Sequence, residues 1–131
     1  MRLEFLADKG GFYTPDDPMI FCLLCAIGGI NADGLEHHMT LQRGTEDEDP
    51  DEDWGIHFCF DDQINGAYNC IHRCRLTRSL IEVVLLNPID PKEKITTVAA
   101  NIANLDDPTF MAIRNGLPRI FRAHEEILEI A

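Results

Sequence analysis

Two groups of residues have the types and spacing to do chemistry. The first is soft. Cys70, His72 and Cys74 alternate along the chain, and His57 and Cys59 precede them with the same spacing. Thiolate and imidazole are ligands that zinc prefers. In an extended chain, however, side chains two apart lie about 7 Å from each other, whereas zinc holds each ligand at roughly 2.0–2.3 Å. These five residues therefore read first as half-buried packing groups. The alternatives are a metal-binding enzyme or sensor using these residues, or a structural subunit of a larger assembly whose exposed strand edge pairs with another chain. The second group is acidic. Glu46, Asp47, Glu48, Asp49, Asp51, Glu52 and Asp53 surround Pro50 and run directly into Trp54. A calcium-binding helix–loop–helix needs a glycine at the loop's sixth position and a glutamate at its twelfth. This run supplies neither, so it reads as a solvated, self-repelling loop.

Other chemistries find little support. Cys22 and Cys25 have redox-motif spacing, but they lie inside an apolar run and read as buried thiols. Ser79 is the only serine and has no glycine elbow. Gly10-Gly11 and Gly28-Gly29 lack the residues of a phosphate loop. His37 and His38 diverge in an extended chain and have no nucleophile beside them. No catalytic residue, metal or cofactor is assigned, and the chain is not expected to be an enzyme.

The composition sets the partner class. The chain of 131 residues fits one domain spanning 1–131, and its 45% apolar content is ample for a core. Acidic residues number 23 against 11 basic ones, giving a net charge of -12. Such a chain repels phosphate backbones, so no direct nucleic-acid binding is expected, and it attracts basic surfaces. Five cysteines at irregular positions suit a reducing compartment. The first residues do not resemble a signal peptide, and Met19 to Ile30 is too short to cross a bilayer. The expectation is a cytoplasmic monomer or weak homodimer without membrane contact.

The elements that must position these groups are mostly strands. Leu3 to Ala7 reads as a short strand, followed by turn chemistry at Lys9-Gly10-Gly11. Met19 to Ile27 is a strand buried on both faces, stopped by Gly28-Gly29. Leu35 to Arg43 alternates. Trp54, Ile56, Phe58 and Phe60 share one face of the clearest strand, a pattern that makes Trp54 a core residue as well as a candidate anchor. Asn65-Gly66 is a turn signal before Ala67 to Leu76, where Tyr68, Cys70, His72, Cys74 and Leu76 share a side. Leu80 to Leu86 and Ile95 to Ile102 follow. Asp107 as N-cap and Pro108 open a helix, which Gly116 and Pro118 should kink or divide. Glu125 to Ile130 is a closing amphipathic turn. The sum is an α+β domain: a mainly antiparallel sheet of about six strands, with a C-terminal helix on one face.

One resemblance joins these pieces. Leu41-Gln42-Arg43, the acidic loop ending near Asp51 to Asp53, a strand, Asp62-Gln63, Tyr68 and Leu80 to Leu86 follow one another in an order that resembles the immunity protein 10 family of bacterial polymorphic toxin systems. The likeness spans roughly Met19 to Phe121. After Tyr68 the chain has Asn69-Cys70 where that family tends to carry glycines. The resemblance implies a cytosolic antidote that binds a cognate toxin domain, with no catalytic residue and no cofactor. The expected contact residues are Asp47, Asp49, Asp51, Glu52, Asp53, Asp61, Asp62 and Gln63, with Trp54 and Tyr68 as anchors.

Overall fold

In the computed structural model, which describes residues 1–131, the chain opens with a long strand, β1 (Arg2–Tyr13). The expected turn at Lys9-Gly10-Gly11 is instead part of this strand. A bulge makes the continuation possible: Ala7 faces Gly29 but Lys9 faces Gly28, so Asp8 is an extra residue. The bulge swaps the inward set from Phe5 and Ala7 to Gly10 and Phe12.

The second strand, β2 (Leu23–Ile30), runs through Gly28-Gly29 rather than stopping there. A Cβ on Gly29 would lie 1.8 Å from the Leu6 carbonyl oxygen. The glycine is present to admit the bulged β1, not to end β2. The expected start at Met19 also moves. Met19 and Phe21 precede the strand and are exposed.

β3 (Glu36–Arg43) pairs with β2, and β4 (His57–Phe60) with β3. β5 (Gly66–Tyr68) closes a hairpin with β4. Ala67 to Leu76 is not one strand. Asn69, at φ 54°, breaks it into β5 and β6 (Ile71–Leu76). β7 (Leu80–Leu85), β8 (Thr97–Asn101) and the helix α1 (Asp107–Ile120) follow, and β9 (Leu128–Ile130) ends the chain.

The strands form one nine-stranded sheet in the order β5-β4-β3-β2-β1-β8-β7-β6-β9, not a sheet of six. Seven runs read as extended in the sequence; the split at Asn69 and β9, where the sequence reads as a closing amphipathic turn, bring them to nine. Only β1–β8 and β6–β9 are parallel. β5 lies at one edge and β6 next to the other, yet only Asn69 and Cys70 join them. Two residues cannot span a flat sheet. The sheet must therefore curl until its ends approach, as in an incomplete barrel.

The core is a single cluster of 27 buried residues inside that curl. α1 covers β1, β2 and β3 with Phe110, Ile113, Leu117 and Ile120. Its N-cap is Asp106, whose carboxylate accepts the Thr109 N–H at 2.8 Å; the cap lies one place earlier than expected, and Asp107 is the first helical residue. Pro118 does not divide α1. It is exposed and near the helix end, so the Arg114 carbonyl it leaves without a backbone donor faces water.

No helix is long and apolar enough to cross a membrane.

Candidate functional site

The acidic loop is fastened at both ends. Glu46 accepts two hydrogen bonds from Arg119 in the last turn of α1, at 2.7 and 3.0 Å. Asp53 accepts two from Arg43 at the end of β3, at 3.2 and 2.8 Å. Arg43 is buried, and its remaining nitrogen donates to the carbonyls of Ile120 and Arg122 at 3.0 and 2.7 Å. One guanidinium thus ties β3, the loop and the C-terminal end of α1 together. Arg119 holds the Glu46 carboxyl down at about 2, and Arg43 does the same for Asp53, also to about 2.

Between these anchors the loop displays Asp47, Glu48, Asp49, Asp51 and Glu52. Asp47 takes a hydrogen bond from the Thr45 hydroxyl. Asp49 caps one turn of 3-10 helix at Pro50–Glu52 by accepting the Asp51 N–H at 3.0 Å. None of the five forms an ion pair within the chain, unlike Glu46 and Asp53. Glu48 is half-buried, its carboxylate lying over Gly44. Asp53, alone among the expected loop contacts, is held by ion pairs to Arg43 and Arg122.

Beyond the loop the chain turns sharply. Gly55 has φ 91°, a conformation that side chains disfavour, and a Cβ there would lie 2.1 Å from the Asn69 side-chain oxygen. Asn69 locks the turn from both sides, donating to the Trp54 carbonyl at 3.1 Å and accepting the Ile56 N–H at 3.3 Å. This turn breaks the alternation that would have placed Trp54 in the core. Ile56, Phe58 and Phe60 point inward, while Trp54 is 70% exposed. Asn69 itself adopts the left-handed backbone region, where asparagine is among the best tolerated residues after glycine.

Trp54, Tyr68 and His57 form an aromatic group of tilted and edge-on rings. The Trp54 and Tyr68 rings are 5.7 Å apart, and His57 meets Tyr68 edge-on at 4.8 Å. Burial lowers the His57 pKa, which favours the neutral ring. Phe21, 90% exposed, faces them across a cleft of about 540 Å³ whose rim includes Glu48 and Glu52.

Asp61, Asp62 and Gln63 lie at the opposite end of the β4–β5 hairpin. Asp61 is committed inside the fold, accepting from His37 Nδ1 at 2.8 Å and from the His38 N–H at 3.0 Å. Asp62 caps a turn at Gln63–Asn65 by accepting the Ile64 N–H at 3.2 Å. The expected contact residues therefore divide between two places. Trp54, Tyr68 and Glu52 come together at one cleft, Asp47, Asp49 and Asp51 belong to the loop that leads to it, and Asp61, Asp62 and Gln63 lie apart.

The soft residues do not converge. No group of three or more His, Cys, Asp or Glu side chains is placed to hold a metal ion. A bulge near His72 leaves that ring exposed and turns Ile71, Cys74 and Leu76 inward. Cys74 is fully buried, Cys70 hydrogen-bonds the Ala67 carbonyl, and Cys59 the Asp62 carbonyl. Sequence reasoning missed Phe21 and Glu48 as cleft residues and Arg43 as the tie. An apolar run gives no sign that its first members lie outside the strand.

Compared with protein-family models, curated proteins and solved structures, the chain matches none.

Proposed function

We propose that the chain is an immunity protein, binding and neutralising a cognate bacterial toxin domain through an acidic surface with aromatic anchors. One observation carries this reading. Trp54 and Tyr68 stand exposed at a cleft lined by Glu48 and Glu52, two carboxylates of a loop whose Asp47, Asp49 and Asp51 likewise have no cation in their own chain. Exposed aromatics are costly to leave in water, and they are the side chains that anchor protein interfaces most often. Unpaired carboxylates around them select a basic partner and speed its encounter. The motif order from Leu41 to Leu86 supplies the toxin-system part of the reading. The surface is fixed before any partner arrives, because the Arg43 and Arg119 ion pairs clamp the loop and Asn69 clamps the Trp54 turn. A preformed surface loses little entropy on binding.

The test is protection. Cells producing the toxin domain encoded beside this chain should survive when the chain is co-produced, and the two should co-purify. Survival should fall for a variant carrying Trp54→Ala and Tyr68→Ala. No protection by the wild-type chain, with both proteins folded, removes the reading.

A further inference from the structure

Resting on that reading of the surface, we infer that the cleft between Phe21 and Trp54 is a receptor for one arginine side chain of the partner. The cleft holds about 540 Å³, enough for a side chain and too little for a domain element. Three aromatic rings line it: Phe21, Trp54 and Tyr68. Aromatic faces attract a cation within about 6 Å of their centroids, and arginine is the cation most often found there. The rim supplies the counter-charge. Glu48 is half-buried over Gly44 without a cation, and Glu52 is exposed beside it.

The chain has no cation of its own to fill the space. Arg43 is the one basic residue on the lining, and its guanidinium is consumed by Asp53 and two carbonyls. His57, on the floor, has a Gln42 partner at 3.4 Å. A planar guanidinium fits better than an ammonium here. It can stack on the Trp54 ring and still direct a pair of N–H groups to a carboxylate at the edge.

Trp54 is the only tryptophan, so its fluorescence reports this cleft alone. Cys22 also lines the cleft and is the one cysteine that is not buried. The probe is an acetylated Gly-Arg-Gly amide, compared with the same peptide carrying lysine or citrulline. Citrulline keeps the shape of arginine and loses its charge. The arginine peptide should change Trp54 fluorescence saturably and slow the labelling of Cys22. The lysine peptide should bind more weakly. The citrulline peptide should bind at least about tenfold more weakly, as expected when a cation–π contact and a charged hydrogen bond are lost together. Glu48→Gln should weaken arginine binding without changing the fold. Equal responses to arginine and citrulline would overturn the assignment. So would an absence of saturation while the basic toxin domain still binds in a manner dependent on Asp47, Asp49 and Asp51; in that case the acidic-surface reading survives and the cleft does not. If the domain fails to bind as well, both fall.

Discussion

Arg43 and Asp53 form a two-pronged ion pair, 2.8 Å at its shorter contact, between the end of β3 and the end of the acidic loop. The Arg43 side chain is 7% exposed and that of Asp53 is 20% exposed. The same guanidinium binds the carbonyl of Ile120, the last residue of α1, and that of Arg122 just beyond it. Truncating Arg43 therefore removes the donors of two carbonyl oxygens and leaves Asp53 with only the Gly55 N–H at 2.9 Å and Arg122 at 3.7 Å. Arg43→Met should cost about 3 kcal/mol, the scale for breaking a buried pair from one side. Urea unfolding measures this; a loss below about 1 kcal/mol would show that water replaces the guanidinium freely.

The loop clamps make stability sensitive to acid. Glu46 and Asp53 each titrate at about 2 in the fold, against roughly 4.3 and 3.9 for free side chains. Because the folded values are depressed, the unfolded chain binds more protons as pH falls. The stabilisation is full above about pH 5 and is lost as pH falls from there towards 2. Thermal unfolding at pH 6, 4 and 2.5 should show a progressive fall in Tm. Glu46→Gln should make that fall shallower. An unchanged slope in this variant would mean that the Arg119 contact does not persist in solution.

The Gly55 turn sets the position of Trp54. Gly55→Ala must place a Cβ against the Asn69 oxygen, in a backbone region that disfavours it. The expected cost is about 2 kcal/mol, within the range for strained backbone. The Trp54 emission should shift as its tilted contact with Tyr68 is lost. A variant with native stability and native emission would show that the turn is not needed.

Thiol reactivity separates surface from core. Burial pushes Cys25 up to about 12 and Cys70 up to about 11, and it raises Cys74 further. Cys22 is only partly covered, its pKa also raised by burial and by nearby Glu48. In native buffer one thiol, Cys22, should react with a disulfide reagent within minutes, and the others only after unfolding. Rapid reaction of a second thiol would show that the core opens locally.

Much of the fold was legible because alternation is a backbone property. The Leu35 to Arg43 and Leu80 to Leu86 runs became β3 and β7 nearly as read. The errors arose where a single residue interrupts that period. Asp8 bulges β1, Gly55 turns Trp54 outward, and Asn69 splits one apparent strand into two at opposite ends of the sheet order. Each is a local event whose outcome depends on a partner distant in sequence, such as Leu6 against Gly29 or Asn69 against Gly55. The acidic run was visible as charge. That its two ends are stapled and its middle free was not, because Arg119 lies 73 residues from Glu46.

The acidic surface is tested by titrating the purified chain with the proposed toxin partner domain at low and moderate salt, beside a variant carrying Asp47→Asn, Asp49→Asn and Asp51→Asn. None of these three side chains is ion-paired in the fold, and asparagine keeps the oxygen with which Asp47 and Asp49 accept their hydrogen bonds, so the variant should unfold as the wild type does. Wild-type affinity should fall as salt rises, and the variant should bind more weakly with a flatter salt response. Equal affinity and equal salt dependence for the two proteins would mean that the negative charge of this loop serves some other end.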